Sequence, residues 1–220
     1  NKSKEELSDN LSKWEENTRN IFKGQINSDL DAVMVDTIEN FPQTIDPYLD
    51  MIEGQRMDLT KFRYKNFEEL KLYCYRVAGT VGLMMAKILN VNDSRSLKGA
   101  IDLGIAMQLT NIARDVVEDK KMNRQYIKSD FENIVATLKL ADMFYESSFT
   151  SIKNIPFKCR FAIVVARRVY RQIGRKILNK GNMENYEKSG KIYVNYFGKV
   201  FQTFLSLFDL MVLFLKNIEP

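Results

Sequence analysis

The chain has 220 residues, 45% of them hydrophobic, enough to bury one sizeable core, and a single domain over residues 1–220 is expected. It contains no histidine and only two cysteines, which excludes histidine-activated nucleophiles and the usual zinc sites, so acid–base or metal chemistry falls to carboxylates, amides, tyrosines and lysines. The net charge of +5 is uneven: residues 1–150 hold 20 Lys/Arg and 24 Asp/Glu, whereas residues 151–220 hold 13 and 4. The basic final third suits anionic lipid or a phosphorylated small molecule, and with no recognisable nucleic-acid-binding motif, nucleic acid is not an expected partner.

The apolar pattern is helical nearly throughout. Leu7, Leu11, Trp14, Thr18 and Ile21 form a 3.6-residue stripe ending at Gly24. Leu30 to Ile38 gives a second helix, stopped by Asn40-Phe41-Pro42, and Asp46-Pro47 reads as a cap with proline at the first helical position, opening a third helix to Leu59. Asn66, with Glu69 three residues on, opens a fourth that runs to Leu89. Ser94 begins a fifth, continuous to Asp119; Asp130 a sixth, to Asn154; Pro156 a seventh, from Lys158 to Asn179, closed by Gly181. An eighth covers Tyr193 to Lys216. No segment alternates with period two, so an all-α bundle is expected. Cys74 and Cys159 sit in apolar helical contexts and are expected to be reduced. Asn1–Asn20 is charged and lacks the apolar run of a signal peptide, so a cytoplasmic protein is expected.

The fifth helix carries the chemistry. Asn111, Asp115 and Asp119 recur every four residues, and Gln108 joins them within an arc of about 80° on one helical face. Stacked carboxylates repel unless a cation or water answers them. Leu103, Ile105, Met107, Leu109, Ile112 and Val116 flank the row, so part of it is expected to be buried, where a hard divalent cation is the natural partner. A solvated acidic face is the plainer alternative. On the fourth helix, Gly79-x-x-Gly82 costs about 1 kcal/mol per glycine relative to alanine and allows a close approach. Helix packing and contact with a ligand chain explain it equally well.

Three stretches carry a resemblance: Asp50 to Leu59 (DMIEGQRMDL), Tyr73 to Gly82, and Ala106 to Asp119 (AMQLTNIARDVVED). In this order they resemble the phytoene synthases of the squalene/phytoene synthase family, with weaker similarity from Trp14 to Val194. The resemblance implies an isoprenoid-synthase-type helical bundle around a central cavity. It implies head-to-head condensation of two geranylgeranyl diphosphates, through a cyclopropylcarbinyl (prephytoene) diphosphate, to phytoene, with loss of two diphosphates and a proton. Mg²⁺, or Mn²⁺ in its place, would assist ionisation. Asp115 and Asp119 match one of the family's two aspartate-rich motifs, with Asn111, Gln108 and Arg114 beside them. Tyr73 matches a tyrosine near the reacting carbons; Val77, Val81 and Gly82 match the prenyl tunnel; Tyr170 and Lys191 match diphosphate contacts, the last often an arginine in the family. No nicotinamide cofactor is expected, which separates the phytoene branch from the reductive squalene branch.

The family's other acidic motif is expected upstream of Trp14 and is not found. Glu5 and Asp9 have its spacing but stand too close to Trp14, and they read as a solvated helical face. The chain is therefore expected to lack the family's N-terminal helices and to be inactive by itself. A squalene or dehydrosqualene synthase is the alternative enzyme, and a non-catalytic assembly or binding protein the alternative of another class. Residues Phe201 to Leu215 are apolar nearly all round yet shorter than a bilayer span, so either a buried helix or a peripheral membrane anchor is expected there.

Overall fold

The computed structural model describes residues 3–60 and 64–215. Among the described residues no strand occurs, in agreement with the all-α expectation. Helix α1 spans Lys4–Ile21, α2 Asp29–Asn40 and α3 Asp46–Thr60. Ser3 and Ser28 cap the first two, their hydroxyls accepting from the Glu6 and Asp31 N–H groups. Asp46 does not cap α3: it is already helical, and the Ile45 carbonyl accepts the first bonds, from Tyr48 and Leu49. The cap therefore lies one residue earlier than expected, with Pro47 in the first turn, where its missing N–H costs nothing.

Helix α4 is Phe67–Cys74 and α5 Thr80–Ile88, joined without a break by a π-helical turn over Tyr75–Gly79. The Asn66 side chain accepts from Glu69 N–H at 2.9 Å, while the Glu69 carboxylate reaches back to Lys65 N–H. Local residue preferences do not signal the π turn, whose extra residue re-aims the side chains that follow it. Helix α6 (Ser94–Arg114) and α7 (Val116–Lys121) replace the single expected helix, with the break at Asp115. Helix α8 is Phe131–Phe149, tightening into a 3₁₀ turn over Thr150–Asn154. Helices α9 (Phe157–Leu178), α10 (Met183–Lys188) and α11 (Tyr196–Leu215) complete the order. Asn182 caps α10, a short helix not among those expected from the apolar pattern. The expected end of the last helix at Lys216 lies outside the described residues.

Helix α6 runs through the centre, packed by α5, α8, α9 and the π turn. Ala106, Leu109, Ile112 and Ala113 meet Ile134, Leu138, Ala141 and Tyr145 of α8 in one core. Each fully buried large aliphatic side chain there contributes roughly 1.5–3 kcal/mol. The two glycine-bearing helices approach to backbone contact: a Cβ on Gly82 would strike the Ala100 carbonyl, and one on Gly104 the Ala78 carbonyl. Gly79 meets Ile101 and Tyr75. Packing thus accounts for the Gly79-x-x-Gly82 pair, although Gly82 also faces a cavity. Cys74 is buried and Cys159 half-buried, both free thiols. Glu5 and Asp9 are exposed on α1.

Candidate active site

A cavity of about 370 Å³ lies along one face of α6. Val77, Val81, Gly82 and Met85 form one wall; Leu103 and Met107 of α6 form the floor; Ile152, Ile155 and Ile163 close the opposite side. From Ser96 to Asn111 the lining follows α6 for about 22 Å, given 1.5 Å per residue. Its surface is mostly apolar, with Gln108 and Asn111 entering the lining at one end and the hydroxyls of Ser96, Ser148 and Ser151 elsewhere. Asp115 follows one turn beyond Asn111 and Asp119 another turn beyond that, so the acidic row starts where the apolar channel stops. The far wall, from the end of α8 and the start of α9, had no sequence signal beyond ordinary amphipathic spacing.

The members of the row have different surroundings. The Asn111 side-chain oxygen is buried and has no hydrogen-bond partner among the described residues, while its amide reaches Gln108 only at 3.5 Å. Asp115 is held by Arg114 through a two-pronged pair of 2.8 and 2.5 Å, with Lys191 Nζ at 3.5 Å. The bond to Asp115 raises the Arg114 guanidinium above its ordinary value. Burial and then the neighbouring Asp115 push the Asp119 carboxyl up to about 6; Arg124 opposes the shift. Tyr170 of α9 is partly buried against the same core. The break at Asp115 frees the Ala113 and Arg114 carbonyls, and the buried Tyr186 hydroxyl donates to both, at 3.0 and 2.7 Å.

Tyr73 lies outside the cavity lining. The antiparallel pairing of Ala78 with Gly104 and of Gly82 with Ala100 puts it, one turn further on, level with the Leu109–Asn111 stretch of α6. Its ring is buried at 2% exposure against Tyr64 and Tyr126, with centroids 5.1 and 5.2 Å away. Its hydroxyl donates to Asp58 at 3.0 Å, as does that of Tyr126 at 3.0 Å. Asp58 and Tyr126 are not among the site residues expected from the sequence. The only hint was that Asp58 falls inside the first of the three matching stretches.

These donors suit a hard cation. The row offers oxygen ligands only: an orphaned buried amide oxygen and a carboxyl held up by burial and a like charge. Among the described residues no group of three or more carboxylate, cysteine or histidine side chains is gathered to hold a metal unaided, so a cation here would also need water or substrate oxygens.

The profile of the squalene/phytoene synthase family matches residues 1–131. The chain belongs to this family. It is 36% identical over 217 residues to phytoene synthase 1 of Arabidopsis thaliana, covering 86% of this chain and 50% of that one. It is 50% identical over 129 residues to the 15-cis-phytoene synthase of Synechocystis, covering 53% and 38% respectively. A solved dehydrosqualene synthase superposes with a TM-score of 0.76 at 31% identity, over 92% of this chain and 78% of that one. A squalene synthase from Alicyclobacillus acidocaldarius has a TM-score of 0.73 at 21% identity, which speaks for the fold alone. The chain spans half or less of the length of the curated relatives it matches.

Proposed function

We propose that this squalene/phytoene synthase family chain carries the prenyl channel and one diphosphate-binding acidic row of a phytoene-forming prenyltransferase, acting on geranylgeranyl diphosphate. The observation that carries the reading is the junction at Asn111, which belongs both to the apolar channel and to the acidic row. An apolar tail lying along α6 would bring its diphosphate to Asp115 and Asp119. Asn111, Asp115 and Asp119 are the residues that would hold Mg²⁺, or Mn²⁺ in its place. Bound there, the cation neutralises diphosphate and makes it a competent leaving group.

The remaining work falls to the chain's own groups. Arg114 and Lys191, already converging on Asp115, can turn to the diphosphate oxygens, and Tyr170 would join them. Gln108 fixes the polar end of the channel. Val77, Val81 and Gly82 keep water from an allylic cation. Tyr73, placed near the reacting carbons by the family resemblance alone, packs outside the lining. The curated relatives named above are phytoene synthases, which favours phytoene over squalene as the product.

Residues 1–220 are read as one domain. A peripheral position on a membrane belongs to the same proposal. Helix α11 corrects the expectation of a segment too short to span: with 20 residues it is long and apolar enough to cross a bilayer, yet little of it is buried, and Phe197, Phe201, Phe204 and Phe208 are exposed. Beside it the basic α9 complements anionic headgroups.

The test is product analysis of the full-length protein with C20 and C15 diphosphates, with and without Mg²⁺ and NADPH. Phytoene from the C20 substrate, dependent on Mg²⁺ and indifferent to NADPH, is expected. A C30 product, whether reduced with NADPH or formed without it, would move the protein to the squalene or dehydrosqualene branch. No diphosphate release under any condition would make it a binding protein.

A further inference from the structure

The break between α6 and α7 falls inside the acidic row, and a single side-chain hydroxyl sits in it. Helix α6 ends at Arg114, Asp115 leaves helical geometry with φ −103° and ψ 15°, and α7 resumes at Val116. In an unbroken helix the Ala113 and Arg114 carbonyls would accept from the N–H groups of Val117 and Glu118. Here both point at the Tyr186 hydroxyl of α10, 3.0 and 2.7 Å away, and the Val116 N–H is turned on the oxygen of that hydroxyl. A side chain inserted into the helical ladder is a recognised cause of a kink. The Tyr186 ring is buried in the core with Ala113, Val116 and Ile192. Packing alone does not require its hydroxyl, since phenylalanine would fill the same space. Burial, foremost, drives that hydroxyl upward, so it is a protonated donor at neutral pH. The row stays coupled across the break: Asp115 N–H donates to the Asn111 carbonyl at 2.9 Å and Asp119 N–H to the Asp115 carbonyl at 2.8 Å. A change at the break therefore moves both carboxylates.

We propose that Tyr186 is a positioning residue for the acidic row. By holding the α6–α7 break through the Ala113 and Arg114 carbonyls, it sets the angle at which Asp115 and Asp119 meet a divalent cation and diphosphate beside Asn111. This rests on the prenyltransferase reading above. Without the hydroxyl the two carbonyls lose their donor in the core, and the least costly remedy rewinds α7 onto α6. Rewinding changes the offset of Asp119 from Asn111 and the reach of Asp115. The oxygen ligands then no longer converge on one point, which a small cation with strict octahedral geometry tolerates poorly. Tyr186 itself touches neither cation nor substrate; its whole effect passes through the backbone of the break.

The experiment compares full-length wild type, Tyr186→Phe and Asn182→Ala. The last removes the cap of α10, whose side-chain oxygen accepts from Asn185 N–H at 2.8 Å, and so loosens the element that carries Tyr186. Each protein is read in two ways. Kinetics with geranylgeranyl diphosphate give kcat, KM and the half-activating Mg²⁺ concentration; thermal melts give the rise in Tm brought by Mg²⁺ with inorganic diphosphate. Tyr186→Phe should need roughly tenfold more Mg²⁺ and lose roughly tenfold in kcat, with KM within about threefold of wild type. Its rise in Tm at subsaturating Mg²⁺ should shrink accordingly. Asn182→Ala should move both readouts the same way, more mildly. A Tyr186→Phe protein that melts lower in chelator, yet keeps the wild-type Mg²⁺ requirement and rise in Tm, has lost packing stability alone and overturns the proposal. If Tyr186→Phe does not fold, a wild-type Mg²⁺ requirement in Asn182→Ala overturns it. Wild type that releases no diphosphate but still gains Tm would instead sink the prenyltransferase reading, and the melts of the variants would still decide the role of Tyr186.

Discussion

Lys191 Nζ lies 3.5 Å from Asp115 Oδ1, bringing the segment after α10 onto the break between α6 and α7. Arg114 holds the same carboxylate, so two cations converge on Asp115 while Asp119, one turn on, has none at ion-pair distance among the described residues. If both cations move to the diphosphate, Lys191→Met should weaken substrate binding more than chemistry. Loss of one exposed charge-assisted contact predicts a KM rise of roughly tenfold with kcat within about threefold. Steady-state kinetics check this, and an unchanged KM would assign Lys191 to Asp115 alone.

Asp119 gives a pH dependence of definite sign. Its folded value of about 6 lies above the ordinary 3.8, so without a cation its contribution to stability is present at low pH and lost as the pH rises through 6. Asp119→Asn should therefore raise Tm by a few degrees at pH 8 in chelator and change it little at pH 4. Added Mg²⁺ should reverse the order at pH 8, because ligand binding stabilises only the protein that can bind it. Thermal melts at the two pH values, with and without Mg²⁺, check both signs.

The contact between α5 and α6 predicts a stability defect. A methyl group on Gly82 meets the Ala100 carbonyl, and one on Gly104 the Ala78 carbonyl; backbone cannot rotate aside as a side chain can. Gly104→Ala should cost about 1–3 kcal/mol or more. Gly181→Ala, with open space but φ of +75°, should cost less, through backbone strain alone. Urea denaturation ranks the two.

The exposed face of α11 predicts lipid binding. Phe204→Ser with Phe208→Ser should leave Tm nearly unchanged, since both rings are more than half exposed, yet reduce cosedimentation with anionic vesicles several-fold. Equal recovery of wild type with and without vesicles at low salt would remove the membrane from the account.

The sequence disclosed what local chemistry determines. Asn66, Asp130 and Pro156 announce their helices because a side-chain oxygen or a missing N–H acts within one turn. The row Gln108, Asn111, Asp115, Asp119 was legible because four-residue spacing is a property of a single helix. Features that depend on contacts across the fold were not. The break at Asp115 depends on the Tyr186 hydroxyl arriving from α10, and the π turn at Tyr75–Gly79 lies where α4 and α5 pass α3 and α6. Asp58 acquires meaning only when Tyr73 and Tyr126, from two other segments, close on it.

In the proposed function, the oxygen row at the end of the channel makes diphosphate leave. Diphosphate release from geranylgeranyl diphosphate by full-length Asp115→Asn, at saturating Mg²⁺ and measured against wild type, tests it most directly. The account predicts a loss of roughly a thousandfold or more with the fold intact. Release within a few-fold of wild type would contradict it.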